Sequence, residues 1–360
     1  MARLKEYNGR YCESEYEYAL IGFLEAEGWN YSSGNNITRI SKRDALIADD
    51  FKNFISDSNP ELTEDEVTQI YDTVRLVGAE SDFATLHKVY GWMVNGVQFV
   101  SQGGLAKMIP LIDFKEPENN IFRVVNQFVV EYTNNGQKEN RRPDVLLFIN
   151  CMPLCVIELK NPADARATIL EAWEQINIRY WRDIPHLLHY CPLACISDGV
   201  KTRLGTVRTP YEHFYAWRRV NDGDEVSTLP FAETETMIKG VYAPERFLEI
   251  FRDYIYFQDS IYDSDEVEIV CRYPQFFATK LLKQSIVKSV IEQSGKGGTY
   301  FGATGCGKTY TMAFLARQLS LRCTDVPQIG SPTIILIVDR DDLQKQGSKL
   351  FTKSKEFLNL

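Results

Sequence analysis

Two acidic side chains and a lysine within residues 144–160 form the pattern of clearest chemical meaning in this chain. Asp144 opens one apolar segment, and Glu158 and Lys160 end the next. Side chains alternate along a strand, so Glu158 and Lys160 are expected on the same face of a sheet. The short connection at residues 150–153 predicts that the two segments are antiparallel neighbours. The register is open, but such pairing can bring Asp144 close to Glu158.

These residue types predict chemistry that uses a divalent metal ion. Two carboxylates and an ammonium group are costly to bury on one sheet face unless something compensates for their desolvation. Mg²⁺ would compensate, because it prefers oxygen ligands and retains several waters. It would polarise a scissile phosphate and lower the pKa of an attacking water, which Lys160 could orient. Arg141 and Arg142 lie beside this group and could contact a DNA backbone.

The alternative is a surface aspartate beside an ordinary Glu–Lys pair, since the E-x-K pattern is common.

Two helices carry polar side chains that could join the group. A helix predicted over residues 14–27 has an apolar stripe, and Glu17 lies on or beside that stripe. Glu17 is either a functional carboxylate or part of a salt-bridged helix end. Gln175, on a later helix, either reaches the same sheet face or marks a helix–sheet boundary.

The second group with chemical meaning is Gly302-x4-Gly307-Lys308-Thr309, which fits the pattern G-x-x-x-x-G-K-[ST]. Its glycines let backbone N–H groups converge on phosphate oxygens, and the following helix N-terminus adds a favourable dipole. Lys308 is predicted to reach the β- and γ-phosphates of ATP, and Thr309 to hold Mg²⁺. The residues predicted to bind the nucleotide through this loop are Gly302, Thr304, Gly305, Gly307, Lys308 and Thr309.

The elements around these groups predict an α/β chain. Runs of β-branched and aromatic residues predict strands at residues 122–132, 141–150 and 154–160. A helix is predicted to start at Asn161 and to carry the apolar stripe Ile169, Trp173, Ile176 and Tyr180. Helices are further predicted at residues 64–77, 244–257, 276–292 and 311–321, and strands at residues 297–301 and 333–338. The order strand, glycine loop, helix, strand is typical of the start of a parallel nucleotide-binding domain.

Composition places limits on the class of protein. The 360 residues, 44% of them hydrophobic, are enough for two domains with their own cores. No apolar run approaches the roughly 20 residues that span a bilayer, and the chain start lacks a signal-peptide pattern, so a cytoplasmic protein without a membrane partner is expected. A net charge of −9 allows a local basic groove but argues against a wholly basic surface. Of the eight cysteines, the two C-x3-C pairs Cys151/Cys155 and Cys191/Cys195 are expected to be small core residues in strands rather than zinc ligands, and disulfides are not expected.

Several segments together carry a resemblance to a known family. Residues 141–144 (Arg-Arg-Pro-Asp) and 156–161 (Val-Ile-Glu-Leu-Lys-Asn) resemble the PD-(D/E)xK nuclease core of type I restriction subunits. The neighbouring segments that strengthen this resemblance are residues 13–17, 27–29, 111–114, 125–128 and 196–199. Residues 272–275 (Arg-Tyr-Pro-Gln) resemble the Gln motif ahead of a helicase domain, and residues 337–344 resemble the helicase motif that follows the ATP loop. The resemblance covers nearly the whole chain.

The resemblance implies an α/β fold class with three parts. These are a PD-(D/E)xK, restriction-endonuclease-like domain at residues 1–240, a helical linker at 241–268, and the first part of a RecA-like P-loop helicase domain at 269–360. It implies an ATP-dependent enzyme that cleaves double-stranded DNA with Mg²⁺ and translocates DNA with ATP. It further implies methyltransferase and DNA-specificity subunits as partners. The residue roles carried over are metal ligands for Asp144 and Glu158, the catalytic lysine for Lys160, the first-helix acid for Glu17, and adenine recognition for Gln275.

The chain departs from the family pattern in three places. The family helix usually shows Q-x3-Y, whereas here Arg179 stands four residues after Gln175 and Tyr180 comes one later, which leaves the roles of Gln175 and Tyr180 open. Asn150 is followed by Cys151 where Asn-Gly is expected, and cysteine tolerates positive φ less well than glycine, which favours a different turn. The chain stops before any Walker B acids, so by itself it is expected neither to hydrolyse ATP effectively nor to move DNA.

Two other classes of protein stay open at this point. One is a nuclease–helicase of a type III restriction or DNA-repair system, which would not depend on methyltransferase and specificity subunits. The other is a non-catalytic assembly module that binds ATP and DNA, which would fail to bind Mg²⁺ or Mn²⁺ at the carboxylates. The intact Asp144, Glu158 and Lys160 argue against this second class.

Overall fold

The structure is a computed structural model that describes residues 13–78, 81–101, 104, 106–161, 168–227, 229, 231–258, 266–337, 347, 350–352 and 355–358. The chain divides into two compact units, Met1–Leu248 and Glu249–Leu360. Within the described ranges, none of the helices combines the length and the apolar character needed to cross a bilayer.

The described secondary structure is mixed α and β. The strands are β1 (Asn30–Ser33), β2 (Val97–Val100), β3 (Ala106–Ile109), β4 (Phe122–Asn126), β5 (Val130–Asn134), β6 (Gln137–Arg141), β7 (Val145–Ile149), β8 (Met152–Leu159), β9 (Leu193–Ser197), β10 (Thr202–Thr206), β11 (Ile255–Phe257) and β12 (Glu268–Val270). The α-helices are α1 (Glu13–Ala26), α2 (Ala48–Ser58), α3 (Glu64–Arg75), α4 (Asp82–Asn95), α5 (Ile169–Glu174), α6 (Trp181–Asp183), α7 (Pro185–Leu188), α8 (Ala232–Met237), α9 (Pro244–Asp253), α10 (Tyr273–Ile291), α11 (Lys308–Leu321) and α12 (Lys355–Leu358). Two π-helices cover Gln175–Tyr180 and Ile238–Tyr242, and short 3₁₀ helices cover Gly34–Asn36, Pro117–Asn119 and Tyr211–His213.

A six-stranded sheet in the order β1-β4-β7-β8-β9-β10 forms the centre of the first unit. The pairs β1–β4 and β8–β9 are parallel, and the other three pairs are antiparallel. Every residue of β7, β8 and β9 is buried, which agrees with their continuous apolar sequences. Helix α1 packs on β1 and β4, while α5 packs on β8 and β9, so two helices are anchored to the strands that carry the candidate residues.

The antiparallel pairing of the two central strands is confirmed. Val145 of β7 pairs with Ile157 of β8, and a bulge follows between Leu147 and Phe148. The turn that joins these strands has φ of 48° at Asn150 and 88° at Cys151. Both values are left-handed, as in the tight hairpin turn that Asn-Gly forms. The prediction of a different turn was therefore wrong, because the buried hairpin holds Cys151 in a backbone conformation that costs a non-glycine residue about 1–2 kcal/mol.

Three boundaries predicted in the first part of the chain were wrong. The strand expected at residues 122–132 is two strands in different sheets, because Gln127 between them has a φ of 56°. The strand expected at 141–150 begins only at Val145, since Arg141 ends β6. The helix expected at 244–257 stops at Asp253, and the buried residues Ile255–Phe257 pair with β12 instead. A run of β-branched and aromatic residues does not reveal where a single left-handed residue interrupts it.

The second unit contains the predicted helices but lacks the predicted strands. Helices α10 and α11 form on either side of the glycine loop. Residues 297–301 and 333–337 have no strand structure, and Phe301 is 93% exposed and Ile337 87% exposed. A strand needs a neighbouring strand for its backbone hydrogen bonds, and β11–β12 is the one ladder in the described part of this unit. Residues 338–344 of the helicase-like segment 337–344, and residues 162–164 of the helix start predicted at Asn161, lie outside the described residues.

The four cysteines of the two C-x3-C pairs lie in the core, but only two of them are in strands. Cys151, Cys155, Cys191 and Cys195 are all buried and free. Cys155 belongs to β8 and Cys195 to β9, whereas Cys151 lies in the hairpin turn and Cys191 precedes β9. Burial raises the pKa of the Cys195 thiol to about 12, so it is a neutral apolar side chain at physiological pH.

Candidate functional site

The β7–β8 hairpin brings two of the predicted carboxylates together. Because Val145 pairs with Ile157, Asp144 is opposite Glu158 at the end of the two strands. Asp144 Oδ2 accepts a hydrogen bond from the backbone N–H of Leu159 at 2.7 Å, which holds this carboxylate against β8. Glu158 is fully buried, while Asp144 is partly exposed. One acid is thus enclosed by protein and the other faces solvent.

Glu158 is held by two side chains from the helix that follows. The Tyr180 hydroxyl donates to Glu158 Oε1 at 2.5 Å, and Gln175 Nε2 donates to Glu158 Oε2 at 2.7 Å. Burial raises the pKa of Glu158 well above its usual value, and the charge of Asp144 raises it further. The Lys160 ammonium and the Tyr180 hydroxyl oppose this shift without cancelling it. The two carboxylates therefore repel each other in a site that would be stabilised by a cation.

Lys160 lies on the same side of the sheet and completes this network. Its Nζ donates to Gln175 Oε1 at 3.0 Å. Gln175 Nε2 also donates to the Tyr180 hydroxyl at 2.8 Å. The amide of Gln175 therefore contacts Lys160, Glu158 and Tyr180 at once. Of the two interpretations of Gln175, the one in which it reaches the sheet face is confirmed.

A π-turn explains how Gln175 and Tyr180 reach the same carboxylate. Residues five apart in an α-helix point about 140° away from each other. Here Gln175–Tyr180 form a π-helix, whose i→i+5 hydrogen bonds bring residues five apart onto one face. The wider turn accommodates the one additional residue that this chain has between the glutamine and the tyrosine of the Q-x3-Y pattern. Tyr180 consequently occupies the position next to Gln175 that the spacing alone had left in doubt.

Glu17 lies near the same carboxylates and is held by an amide that the sequence interpretation had missed. Asn126 Nδ2 donates to Glu17 Oε1 at 2.5 Å, and Tyr31 donates to Asn126 Oδ1 at 3.0 Å. Burial raises the pKa of Glu17, and the charge of Asp144 adds to this increase. Asn126 ends β4 opposite Val145, which explains its proximity. A polar amide at the end of an apolar strand was the signal available, since a buried amide needs partners.

The donor atoms at this site fit a divalent cation of the magnesium class. Asp144 and Glu158 offer only carboxylate oxygens, which such cations prefer to nitrogen or sulfur. In the part of the chain that the structure describes, no three His, Cys, Asp or Glu side chains converge as a metal site. Two protein carboxylates completed by waters are a common arrangement for Mg²⁺, which retains much of its hydration.

Two glycines of the loop in the second unit have a left-handed backbone, which favours glycine. Gly305 and Gly307 have φ of 78° and 80°, and a side chain at Gly307 would collide with the Gln275 amide. Helix α11 begins at Lys308, so Thr309 lies in its first turn, at the end of the helix whose dipole favours an anion. Thr304 and Gly305 are exposed at the loop surface.

Two polar side chains contact this loop from within the second unit. Lys308 Nζ donates to the carbonyls of Gly302 at 2.7 Å and Ala303 at 2.9 Å. Gln275 Nε2 donates to the Gly307 carbonyl at 3.0 Å, and its Oε1 accepts from the Arg272 N–H. The Gln275 amide keeps one further N–H and one lone pair for another partner.

Comparisons with known proteins agree with this architecture. Residues 10–213 match the family described as type I restriction enzyme R protein N terminus, and residues 274–359 match the SWI2/SNF2 ATPase family. The chain is 29% identical to the "Putative type I restriction enzyme MjaIXP endonuclease subunit" of Methanocaldococcus jannaschii, over 93% of this chain and 34% of that protein. It is 28% identical to the type I restriction enzyme HindI endonuclease subunit of Haemophilus influenzae, over 96% of this chain and 33% of that protein.

The chain spans about a third of the length of these curated relatives. The first of the two family matches covers more than half of the 360 residues, including both strands of the carboxylate hairpin and the π-turn. The chain therefore belongs to the family of type I restriction enzyme R protein N termini.

Proposed function

We propose that the first unit is a PD-(D/E)xK nuclease that cleaves double-stranded DNA in a type I restriction enzyme. The observation that carries this proposal is the convergence of Asp144, Glu158 and Lys160 at the end of one hairpin, with Gln175 and Tyr180 holding the buried acid. The names of the related endonuclease subunits support the same activity. They favour a type I enzyme over a type III or DNA-repair nuclease.

Each side chain has a distinct part in the proposed reaction. Asp144 and Glu158 would hold Mg²⁺, which when bound polarises the scissile phosphodiester and makes water a better nucleophile. Tyr180 and Gln175 keep the Glu158 oxygens fixed, so the site needs little reorganisation. Lys160 supplies positive charge next to the acids, where negative charge grows on the phosphate in the transition state. Glu17, held by Asn126, lies close enough to Asp144 for the charge of Asp144 to raise the pKa of Glu17.

The second unit is proposed to supply ATP binding to a DNA motor. Gly302, Thr304, Gly305, Gly307, Lys308 and Thr309 would surround the ATP phosphates, and Gln275 would contact the adenine. In this proposal residues 1–240 form the nuclease domain, 241–268 a linker, and 269–360 the start of a RecA-like domain. The division between Leu248 and Glu249 falls inside the proposed linker. Translocation of DNA and assembly with methyltransferase and specificity subunits would be properties of the complete enzyme.

Binding of a divalent cation is the most direct test of the nuclease site. Without nucleotide, saturating Mg²⁺ or Mn²⁺ should raise the Tm of the first unit by about 5 °C, since a ligand at 100 times its Kd adds about 2.7 kcal/mol. Glu158→Gln and Asp144→Asn should lose this shift, whereas Glu118→Gln at an exposed position should keep it. Because burial and the charge of Asp144 raise the pKa of Glu158, protons compete with the cation for this carboxylate, so the shift should be larger at pH 8 than at pH 6. An equal shift in Glu158→Gln would place the metal elsewhere, and no shift in any variant would favour a non-catalytic module.

Shortening the π-turn is expected to preserve cleavage. Deletion of Ile178, whose side chain is 52% exposed, leaves glutamine and tyrosine four residues apart, on one face of an ordinary α-helix. Plasmid cleavage by the complete enzyme should stay within about threefold of wild type, because the π-turn is an α-helix with one added residue. Tyr180→Phe, which removes the hydroxyl from Glu158, should reduce cleavage roughly 10- to 100-fold. If the deletion costs more than Tyr180→Phe, an α-helical turn does not restore the contacts to Glu158.

A further inference from the structure

A cavity lined mainly by cations lies next to the side chains that hold Glu158. Its volume is about 360 Å³, and its lining residues are Arg141, Gln175, Arg179, Tyr180 and Arg182. Gln175 and Tyr180 also make the two hydrogen bonds to Glu158. The cavity therefore adjoins the proposed nuclease centre, and no carboxylate is among the described residues that line it.

One carboxylate outside this lining holds two of the guanidinium groups in place. Asp183, whose side chain is 6% exposed, accepts from Arg141 Nε at 2.7 Å and from Arg182 Nε at 2.7 Å. The Arg141 guanidinium carbon also lies over the Tyr132 ring, 5.2 Å from the ring centroid. A guanidinium has five N–H donors, so both groups retain donors beyond those that bind Asp183. Their fixed orientation lowers the entropy lost when an anion binds.

The π-turn contributes the third cation. In a turn with i→i+5 hydrogen bonds, positions i+4 and i+5 both lie close to position i, so Arg179 and Tyr180 are both near Gln175. Arg179 is exposed and makes no ion pair with any residue in the described ranges. This chain has one residue more between Gln175 and Tyr180 than the Q-x3-Y pattern. As a result, Arg179 lines the cavity while Tyr180 still reaches Glu158.

We propose that this cavity binds a phosphodiester group of the DNA backbone next to the one that is cut. The proposal rests on the proposed nuclease function. Three guanidinium groups against two carboxylates, Asp183 and the neighbouring Glu139, leave one positive charge, in a chain whose net charge is −9. Planar guanidinium groups match two phosphate oxygens at once. A duplex whose scissile phosphate lies at Asp144 and Glu158 would bring a neighbouring phosphate to Arg179, which fixes the position of the strand.

The test measures DNA binding without cleavage, so that it does not depend on the nuclease activity. The 360-residue chain is titrated in EDTA against a fluorescein-labelled 30-base-pair duplex at several KCl concentrations. Arg179→Gln should weaken binding roughly three- to tenfold at low salt and reduce the slope of log K against log[KCl] by about 0.9, the value for one lost phosphate contact. Arg179→Lys should keep the slope, because the charge remains. Arg218→Gln, at an exposed position outside the cavity, should match wild type.

The outcomes separate this proposal from the nuclease assignment. An unchanged slope in Arg179→Gln, an equal loss in Arg218→Gln, or no binding of the duplex by the wild-type chain would overturn the phosphate site. Poly-glutamate competing as well as unlabelled duplex would also overturn it, in favour of an acidic protein partner. The nuclease assignment is tested separately with Glu158→Gln. If that variant still cleaves DNA in the complete enzyme, the nuclease assignment fails while the binding result for Arg179 remains a separate observation.

Discussion

Replacing Glu158 with glutamine in the complete enzyme, assembled with its methyltransferase and specificity subunits, is expected to reduce plasmid cleavage by at least about 1,000-fold. Glutamine has nearly the same shape, so Tyr180 and Gln175 keep a partner, but the negative charge that would bind the metal is lost. ATP hydrolysis should stay within about twofold of wild type, because the nucleotide loop belongs to the other unit. Cleavage is measured by conversion of supercoiled plasmid in Mg²⁺, and hydrolysis by phosphate release in the same reactions.

The control for this variant is Glu118→Gln, which removes an exposed carboxylate of the same unit. It should leave both activities unchanged. The Tm of each protein separates loss of the site from loss of the fold, and Glu158→Gln should be at least as stable as wild type without metal. Replacement removes an acid whose ionisation is opposed by burial and by Asp144. Persistent cleavage by Glu158→Gln would place the nuclease centre elsewhere and refute the proposed function.

Replacing Lys308 with alanine is the variant with the second large expected effect. ATP hydrolysis by the assembled enzyme should fall at least about 100-fold, since a positioned cation on the transferred phosphate contributes on that order. Lys308 Nζ binds the carbonyls of Gly302 and Ala303 in the structure, so it is already held over the loop that would receive the phosphates. Cleavage should fall with hydrolysis if translocation precedes cutting, while the Mg²⁺-dependent Tm shift of the first unit should remain.

Lys296→Ala is the matched control, because Lys296 is an exposed lysine shortly before the same loop. It should hydrolyse ATP at the wild-type rate. A Lys308→Ala enzyme that still hydrolyses ATP would show that the glycine loop is not the catalytic nucleotide site. Cleavage that survives the loss of hydrolysis would instead separate the nuclease from the motor and remove translocation from the proposed mechanism.

Much of the carboxylate hairpin could be predicted from local pattern. Two continuous apolar segments joined by two turn residues can scarcely avoid antiparallel pairing, and alternation along β8 puts Glu158 and Lys160 on one face. The glycine loop was equally accessible, since its spacing reflects local backbone geometry that only glycine adopts without strain. These features depend on residues close together in the chain.

The rest of the candidate site depends on contacts between residues far apart in the chain. Asn126 meets Glu17, 109 residues away, only because α1 packs on β4. The five-residue spacing of Gln175 and Tyr180 would place them on different faces of an α-helix, but the π-turn places them on the same face. Both side chains hydrogen-bond to the buried Glu158 carboxylate, which stabilises this turn. Asp183 likewise orients two arginines, one from β6 and one beside it in α6. Local propensity determines where a strand or a loop forms. Which polar side chains become buried, and which partners satisfy their hydrogen bonds, is determined only when the whole sheet and its helices pack together.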